Sequence, residues 1–212
     1  MEEKSFTVSL QKNPRISIGV IPGHFTTSNA HTSHYLDVSG IKSNAMMARD
    51  VARELAVPYL SSTMIDTIVC MEKTEVIGAY LAEELLMEGA SVINSGGEIH
   101  VVSPIHNVNG QLTFPDSTIG WIKGKNVLLL VASVSSGRTL HSALECLSYY
   151  GGNVVGKSAL FLVSYDTAGK IHSLFTPDDI NGYTLSPSSD CAMCKAGIRL
   201  DAIISSEGYT KI

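Results

Sequence analysis

Val127-Leu128-Leu129-Leu130-Val131-Ala132 is the longest unbroken apolar run in the chain, and it constrains the fold more than any other feature. A span of six is far too short to cross a bilayer, which takes about 20 residues as a helix. A short run without alternation reads instead as a strand buried on both faces. Around it the chain switches between helical and strand patterns. Ala45, Ala48, Ala52, Leu55 and Ala56 fall at helical spacing, with Ser43 or Asn44 placed to cap that helix and Pro58 to stop it. Residues 66–71 read as a short buried strand. Ile77, Leu81 and Leu85 then repeat as a helix ending near Gly89, and residues 90–94 read as a further strand. After the apolar run, Leu140, Ala143, Leu144, Leu147 and Tyr150 mark a helix closed by Gly151-Gly152, followed by a strand over 154–163. This alternation predicts an α/β fold, a twisted, mainly parallel sheet flanked by helices.

Two stretches depart from the pattern. Residues 96–123 are rich in turn residues, and Asn109-Gly110 between Ile105/Val108 and Leu112/Phe114 is a hairpin signal. They are read as a flexible flap carrying a β-hairpin. From Thr176 onward the chain breaks into turns around Pro177, Gly182, Pro187 and a Cys-Ala-Met-Cys stretch. The expectation is a single domain over 1–212, with a small hood from 1–40 and 176–212.

Composition excludes several classes. A hydrophobic fraction of 44% is too high for a disordered chain. Fifteen basic against 20 acidic side chains give a net charge of −5, and no Lys/Arg cluster is present, which argues against nucleic acid. Met1-Glu2-Glu3-Lys4 lacks the basic start and apolar stretch of a signal peptide, and no membrane association is expected. Four cysteines do not make a disulfide framework in a chain of this length. A reduced, cytoplasmic protein is expected.

Ligands of open α/β sheets sit beyond the carboxyl ends of the strands. The loop after the apolar strand, Ser133-Val134-Ser135-Ser136-Gly137-Arg138-Thr139, precedes a helix. Backbone N–H groups, hydroxyls and a helix dipole at such a turn suit a phosphate. An ordinary N-cap by Ser136 or Thr139 is the alternative.

Val127 to Leu140 resembles the ribose-phosphate signature of the type I phosphoribosyltransferases, in which a hydrophobic strand leads through two acidic residues into a T-G-x-T-like loop. Ser135, Ser136, Gly137, Arg138 and Thr139 match the part that cradles the 5′-phosphate. Ala132 and Ser133 stand where the family has its acidic pair. Other segments bring the resemblance nearest to orotate phosphoribosyltransferase. Residues 23–37 resemble the family's substrate-side segment, which makes His34 and Tyr35 candidates for the base. Met71-Glu72-Lys73-Thr74-Glu75 stands where the family has its pyrophosphate loop, which makes Lys73 and Thr74 candidates for that group. The tail from Pro187 to Gly197 resembles a segment of some bacterial members. The resemblance implies transfer of phosphoribosyl from phosphoribosyl pyrophosphate (PRPP) to a nitrogenous base, with Mg2+, in a homodimer.

Family members close a loop with Lys and Arg over the pyrophosphate, where cations stabilise the departing charge. Here no Lys or Arg occurs between Lys73 and Lys123. His100 and His106 are the potential cations of that stretch and the weak candidates for a catalytic role; surface residues of a hairpin is the other reading. With the acidic pair also replaced, the chain is either a divergent enzyme or a non-catalytic sensor that keeps the phosphate cradle, and the Mg2+ dependence is expected to be weak.

Cys191 and Cys194 have zinc-knuckle spacing, but a structural zinc needs four ligands. Cys70 and Cys146 fall in a core strand and a core helix. His24, His31 and His34 do not have the spacing of a helix-borne pair and read as a polar loop. Accordingly no metal ligand is assigned, no zinc is expected, and the two cysteines are read as packing a turn. Ligands pooled by two chains, or a redox pair, are the alternatives.

Overall fold

Residues 4–28, 30–89, 92–163, 170–205 and 208–212 are described by a computed structural model. The chain divides into a terminal unit, residues 1–40 and 175–212, and a central unit, residues 41–174. The terminal unit starts with β1 (Phe6–Leu10), β2 (Asn13–Thr26) and β3 (Ala30–Asp37). A short helix, α1 (Ser39–Ser43), leads into α2 (Ala45–Ala56). The cap of α2 is Asn44, whose side chain accepts from the N–H groups of Met46 and Met47 at 3.0 and 3.1 Å. Its spacing buries Ala48, Val51, Ala52, Leu55 and Ala56.

All residues of β4 (Thr67–Cys70) are buried. The helix that follows, α3 (Glu75–Leu86), carries Gly78 where any Cβ would run into the Cys70 thiol. The strand expected over 90–94 is not found: Ala90 and Ser91 lie outside the described residues, and Ile93 and Asn94 are in a turn. That turn is held by the N–H of Ile93 donating to the Leu60 carbonyl at 2.8 Å.

Within the stretch read as a flap, β5 (His100–Val102) is an edge strand of the main sheet, parallel to β4. The hairpin follows as β6 (Ile105–His106) and β7 (Leu112–Thr113), antiparallel, with Gly110 at φ 75° in the turn. After α4 (Asp116–Ile119) come β8 (Asn126–Val134), α5 (Arg138–Tyr149), β9 (Asn153–Leu162) and β10 (His172–Phe175). The sheet order is β10-β9-β8-β4-β5, and the pairs β9·β8, β8·β4 and β4·β5 are parallel. The apolar run fills β8 at its middle, where Val127, Leu129 and Val131 pack with Val69, Leu140, Ala143, Leu147 and Ala159. Phe114 and Ile122 enter the same core from the stretch read as a flap.

The terminal unit closes with β11 (Leu185–Pro187), α6 (Ala192–Lys195), β12 (Ala202–Ser205) and β13 (Gly208–Lys211). Its sheet runs β11-β3-β2-β12-β13, with β1 against β2. β2 is antiparallel to β1 and β3 and parallel to β12. On one face Ile21, Phe25 and Ala202 pack with Tyr35, Ile204 and Tyr209. Among the described residues, no helix is long and apolar enough to cross a membrane.

Candidate functional site

Two loops of the central unit meet at the carboxyl ends of adjacent strands. The first follows β8: Ser135, Ser136 and Gly137 form a bend, and α5 begins at Arg138. Gly137 precedes the helix at φ 76°, a left-handed backbone that glycine adopts without cost. Among the described residues no side chain caps α5, so neither Ser136 nor Thr139 fills the N-cap role. A helix start leaves its first N–H groups without intrahelical acceptors, and here they open onto Ser136 and Arg138, both exposed, and Thr139, half-buried.

The second loop follows β4. Glu72 and Lys73 are both left-handed, at φ 55° and 64°, a conformation that costs a non-glycine residue roughly 1–2 kcal/mol. This turn sends the Glu72 carboxylate to the neighbouring strand. Its Oε2 accepts from the N–H of Ala132 at 2.9 Å and of Ser133 at 3.1 Å. Burial pushes the Glu72 carboxyl above its ordinary value, with the Ser133 and Ala132 N–H groups and Lys42 pulling the other way. A carboxylate therefore stands against the backbone of the two positions whose own side chains are not acidic. Glu72 was missed as a site residue because its role comes from the left-handed turn, which leaves no mark in residue type.

The remaining candidates are placed as follows. Lys73 is exposed on this second loop. Thr74 is fully buried, and its hydroxyl donates to the carbonyl of Met71 at 2.9 Å; it holds the loop and offers no hydroxyl to a ligand. His100 pairs with Thr67 at the amino end of β4, and its ring stacks on Trp121 at 4.5 Å. That is the opposite end of the parallel sheet from both loops, so the structure does not bring His100 to them. His106 is exposed on the hairpin. Ser103, just before that hairpin, donates to Glu75 at 2.7 Å.

His34 and Tyr35 belong to β3 in the terminal unit. The His34 ring stacks on Tyr183 at 6.0 Å, its Nδ1 lies 2.8 Å from Ser33 Oγ, and burial lowers its pKa. Tyr35 packs edge-on against Tyr209 at 4.8 Å.

The terminal unit also brings together four residues that were read separately. Ligand atoms of His24, His31, Cys191 and Cys194 all lie within 4.8 Å of one another. His24 lies within an irregularity of β2, between Pro22 and Phe25. It is fixed there by its N–H donating to Asp201 at 2.7 Å and by its Nδ1 at 2.9 Å from the Ile198 carbonyl. His31 lies on the adjacent antiparallel strand, opposite Thr26. Cys191 immediately precedes α6 and Cys194 lies within it. Burial pushes the Cys191 thiol up, but the N–H of Cys194, the His31 ring, the Cys194 thiol and the N–H of Met193 outweigh it and hold the group at about 6. The polar loop expected for the histidines is thus a pair of neighbouring strands, where helical spacing has no bearing. The count of two ligands, on which the expectation of no zinc rested, becomes four.

No protein-family model and no curated sequence matches the chain. Solved structures do. The chain is similar to Leishmania donovani UMP synthase, with TM-score 0.53 and 20% identity over 74% of this chain and 33% of that one. It is similar to a phosphoribosyltransferase from Corynebacterium diphtheriae, with TM-score 0.52 and 17% identity over 76% and 90% of the two chains. It is also similar to the adenine phosphoribosyltransferase of Leishmania tarentolae, with TM-score 0.51 and 16% identity over 70% and 79%. The chain spans a third of the UMP synthase. Relatives of more than one kind fit about equally well, so the likeness does not single out the orotate enzymes. The fold is that of the type I phosphoribosyltransferases.

Proposed function

We propose that the central unit binds a ligand carrying ribose 5-phosphate, with the phosphate on Ser135, Ser136, Gly137, Arg138 and Thr139, and that its reaction class is phosphoribosyl transfer from PRPP to a nitrogenous base. The observation that carries this reading is the uncapped start of α5 at the carboxyl end of β8, in a fold shared with phosphoribosyltransferases. N–H groups and a dipole at such a point favour an anion. Lys73 is the candidate for the pyrophosphate. Mg2+ prefers hard oxygen ligands and often arrives with phosphates; with Ala132 and Ser133 in place of acids, its effect on affinity is expected to be small.

Calorimetry with ribose 5-phosphate and with PRPP, each with and without Mg2+, tests the binding. Gly137→Val combined with Thr139→Val is expected to abolish it. Unchanged affinity in that double variant overturns the assignment, and a hundredfold Mg2+ dependence overturns the expectation about the metal.

One arrangement favours a second reading, a phosphorylated-ligand sensor that does not turn its ligand over. The Glu72 carboxylate occupies the N–H groups of Ala132 and Ser133, and no Lys or Arg follows Lys73 until Lys123. Losing one well-placed donor to developing charge costs about 100- to 1000-fold in rate. Pyrophosphate release with PRPP, Mg2+ and a panel of bases that includes orotate and adenine separates the two. Turnover in the common range of about 1–1000 per second eliminates the sensor; binding without release eliminates the enzyme.

A further inference from the structure

We propose that His24, His31, Cys191 and Cys194 bind one zinc ion, in a closed structural site that ties the β2–β3 pair to the segment carrying α6. Three observations support it. The first is spacing. Bonds of about 2.0–2.1 Å to nitrogen and about 2.3 Å to sulfur around a tetrahedral centre require ligand atoms about 3.3–3.8 Å apart. The distances are 3.1 Å from His24 Nε2 to His31 Nδ1 and 3.2 Å from His31 Nδ1 to Cys194 Sγ. From His24 Nε2 they are 3.4 Å to Cys191 Sγ and 3.6 Å to Cys194 Sγ. These four of the six edges match a tetrahedron to within a few tenths of an ångström, and the other two are no longer than 4.8 Å.

The second is the tautomer. The Ile198 carbonyl can only accept, so His24 Nδ1 carries the proton of the neutral ring. Nε2 is left with its lone pair turned on the other three ligand atoms. A ring nitrogen held by a backbone carbonyl while its partner coordinates is the usual outer support of a metal-bound histidine. The N–H of His24 is in turn fixed by Asp201.

The third is charge and burial. His24 and Cys191 are almost fully buried, at 1% and 2% exposure, and His31 is at 8%. Two thiolates and two neutral imidazoles around a dication sum to zero, so the filled site carries no net charge into the interior. Soft sulfur with imidazole in a four-ligand set selects zinc among the common divalent ions. With all positions taken by protein, no open position remains for a substrate.

The full chain, expressed with zinc in the medium and purified without chelator, is expected to hold one zinc per chain by elemental mass spectrometry. The metal-free chain refilled with Co(II) is expected to give the intense visible bands and the thiolate charge-transfer absorption of a tetrahedral site. Cys194→Ser changes the exposed ligand and is expected to weaken metal binding by more than about 100-fold, beyond what loss of an outer partner costs. His141→Ala, on the surface of α5, is expected to keep one zinc. Zinc well below one per chain together with the absence of a tetrahedral cobalt spectrum overturns the proposal. So does stoichiometric zinc that survives Cys194→Ser, which would put the ion elsewhere. If that variant does not fold, the wild-type cobalt spectrum decides by itself.

Discussion

In the central unit, β8 is buried without interruption from Val127 to Ala132 and β4 is buried throughout. In the terminal unit, β1 is mostly exposed, β2 mixes buried and half-exposed positions along its length, and the buried positions of β3 include His31, Thr32 and His34. The first unit is held by apolar area, at roughly 25 cal/mol per Å². The second buries polar groups, which stabilise only when each finds a partner. Those partners come from the far end of the chain: Ile198 and Asp201 for His24, Gly182 for the Ser33 hydroxyl. A unit held by area tolerates the loss of one contact in proportion to its size, whereas a unit held by specific partners fails when one partner is removed.

Metal removal gives the largest expected effect on this contrast. Structural zinc is worth about 10–16 kcal/mol in finger peptides, and its loss is expected to strip hydrogen-exchange protection from β2, β3 and β12 while β4 and β8 keep theirs. Equal loss in both units would break the distinction. Next in size is Leu129→Ala, at a fully buried position of β8. It is expected to cost about 2–5 kcal/mol in a denaturant melt followed at the central unit, with the zinc content unchanged. A cost under about 1 kcal/mol would mean that the central core is looser than its burial implies.

The smallest effect concerns Glu72, a half-buried carboxyl in the loop after β4. Its folded pKa is raised above its ordinary value of 4.5, with burial as the largest cause. The folded state therefore holds the proton more tightly than the unfolded one, and the stability this provides is lost as pH rises from about 4.5 through the folded value. Glu72→Gln keeps an acceptor for Ala132 and Ser133 and is expected to remove that decline, flattening stability against pH. A variant whose pH profile matches the wild type would show that the carboxyl is not desolvated.

The same contrast governs how much was legible in the sequence. β4, α2, α3, β8, α5 and β9 follow from apolar runs and helical spacing, because each buries hydrophobic side chains that no partner need specify. Residues 100–102 read as part of the flap because a strand of three next to Ser103-Pro104 is too short to carry a period. The strands of the terminal unit left no such pattern. His24 and His31 are seven apart in sequence and adjacent only because β2 and β3 pair antiparallel. Cys191 and Cys194 are visible as a pair, but their companions can be found only once the strands are aligned. Of the loop proposed to take a phosphate, the residues are readable and the left-handed Gly137 is consistent with them; the crossing of Glu72 depends on a backbone turn that residue type disfavours.

The pairing of His24 with Cys191 and Cys194 spans 167 and 170 residues of chain, and this sets a timetable for synthesis. A ribosome adding about 5–20 residues per second makes the histidines roughly ten to thirty seconds before the cysteines. For that interval β2 and β3 are complete but lack the Ile198 carbonyl, the Asp201 carboxylate and both thiols. The contiguous central unit emerges whole in the meantime and can fold first. The terminal unit is therefore the last part of the molecule to close, and a ribosome that stalls shortly before residue 191 leaves a nascent chain with a formed sheet at its centre and an unfinished N-terminal hairpin open to chaperones and proteases.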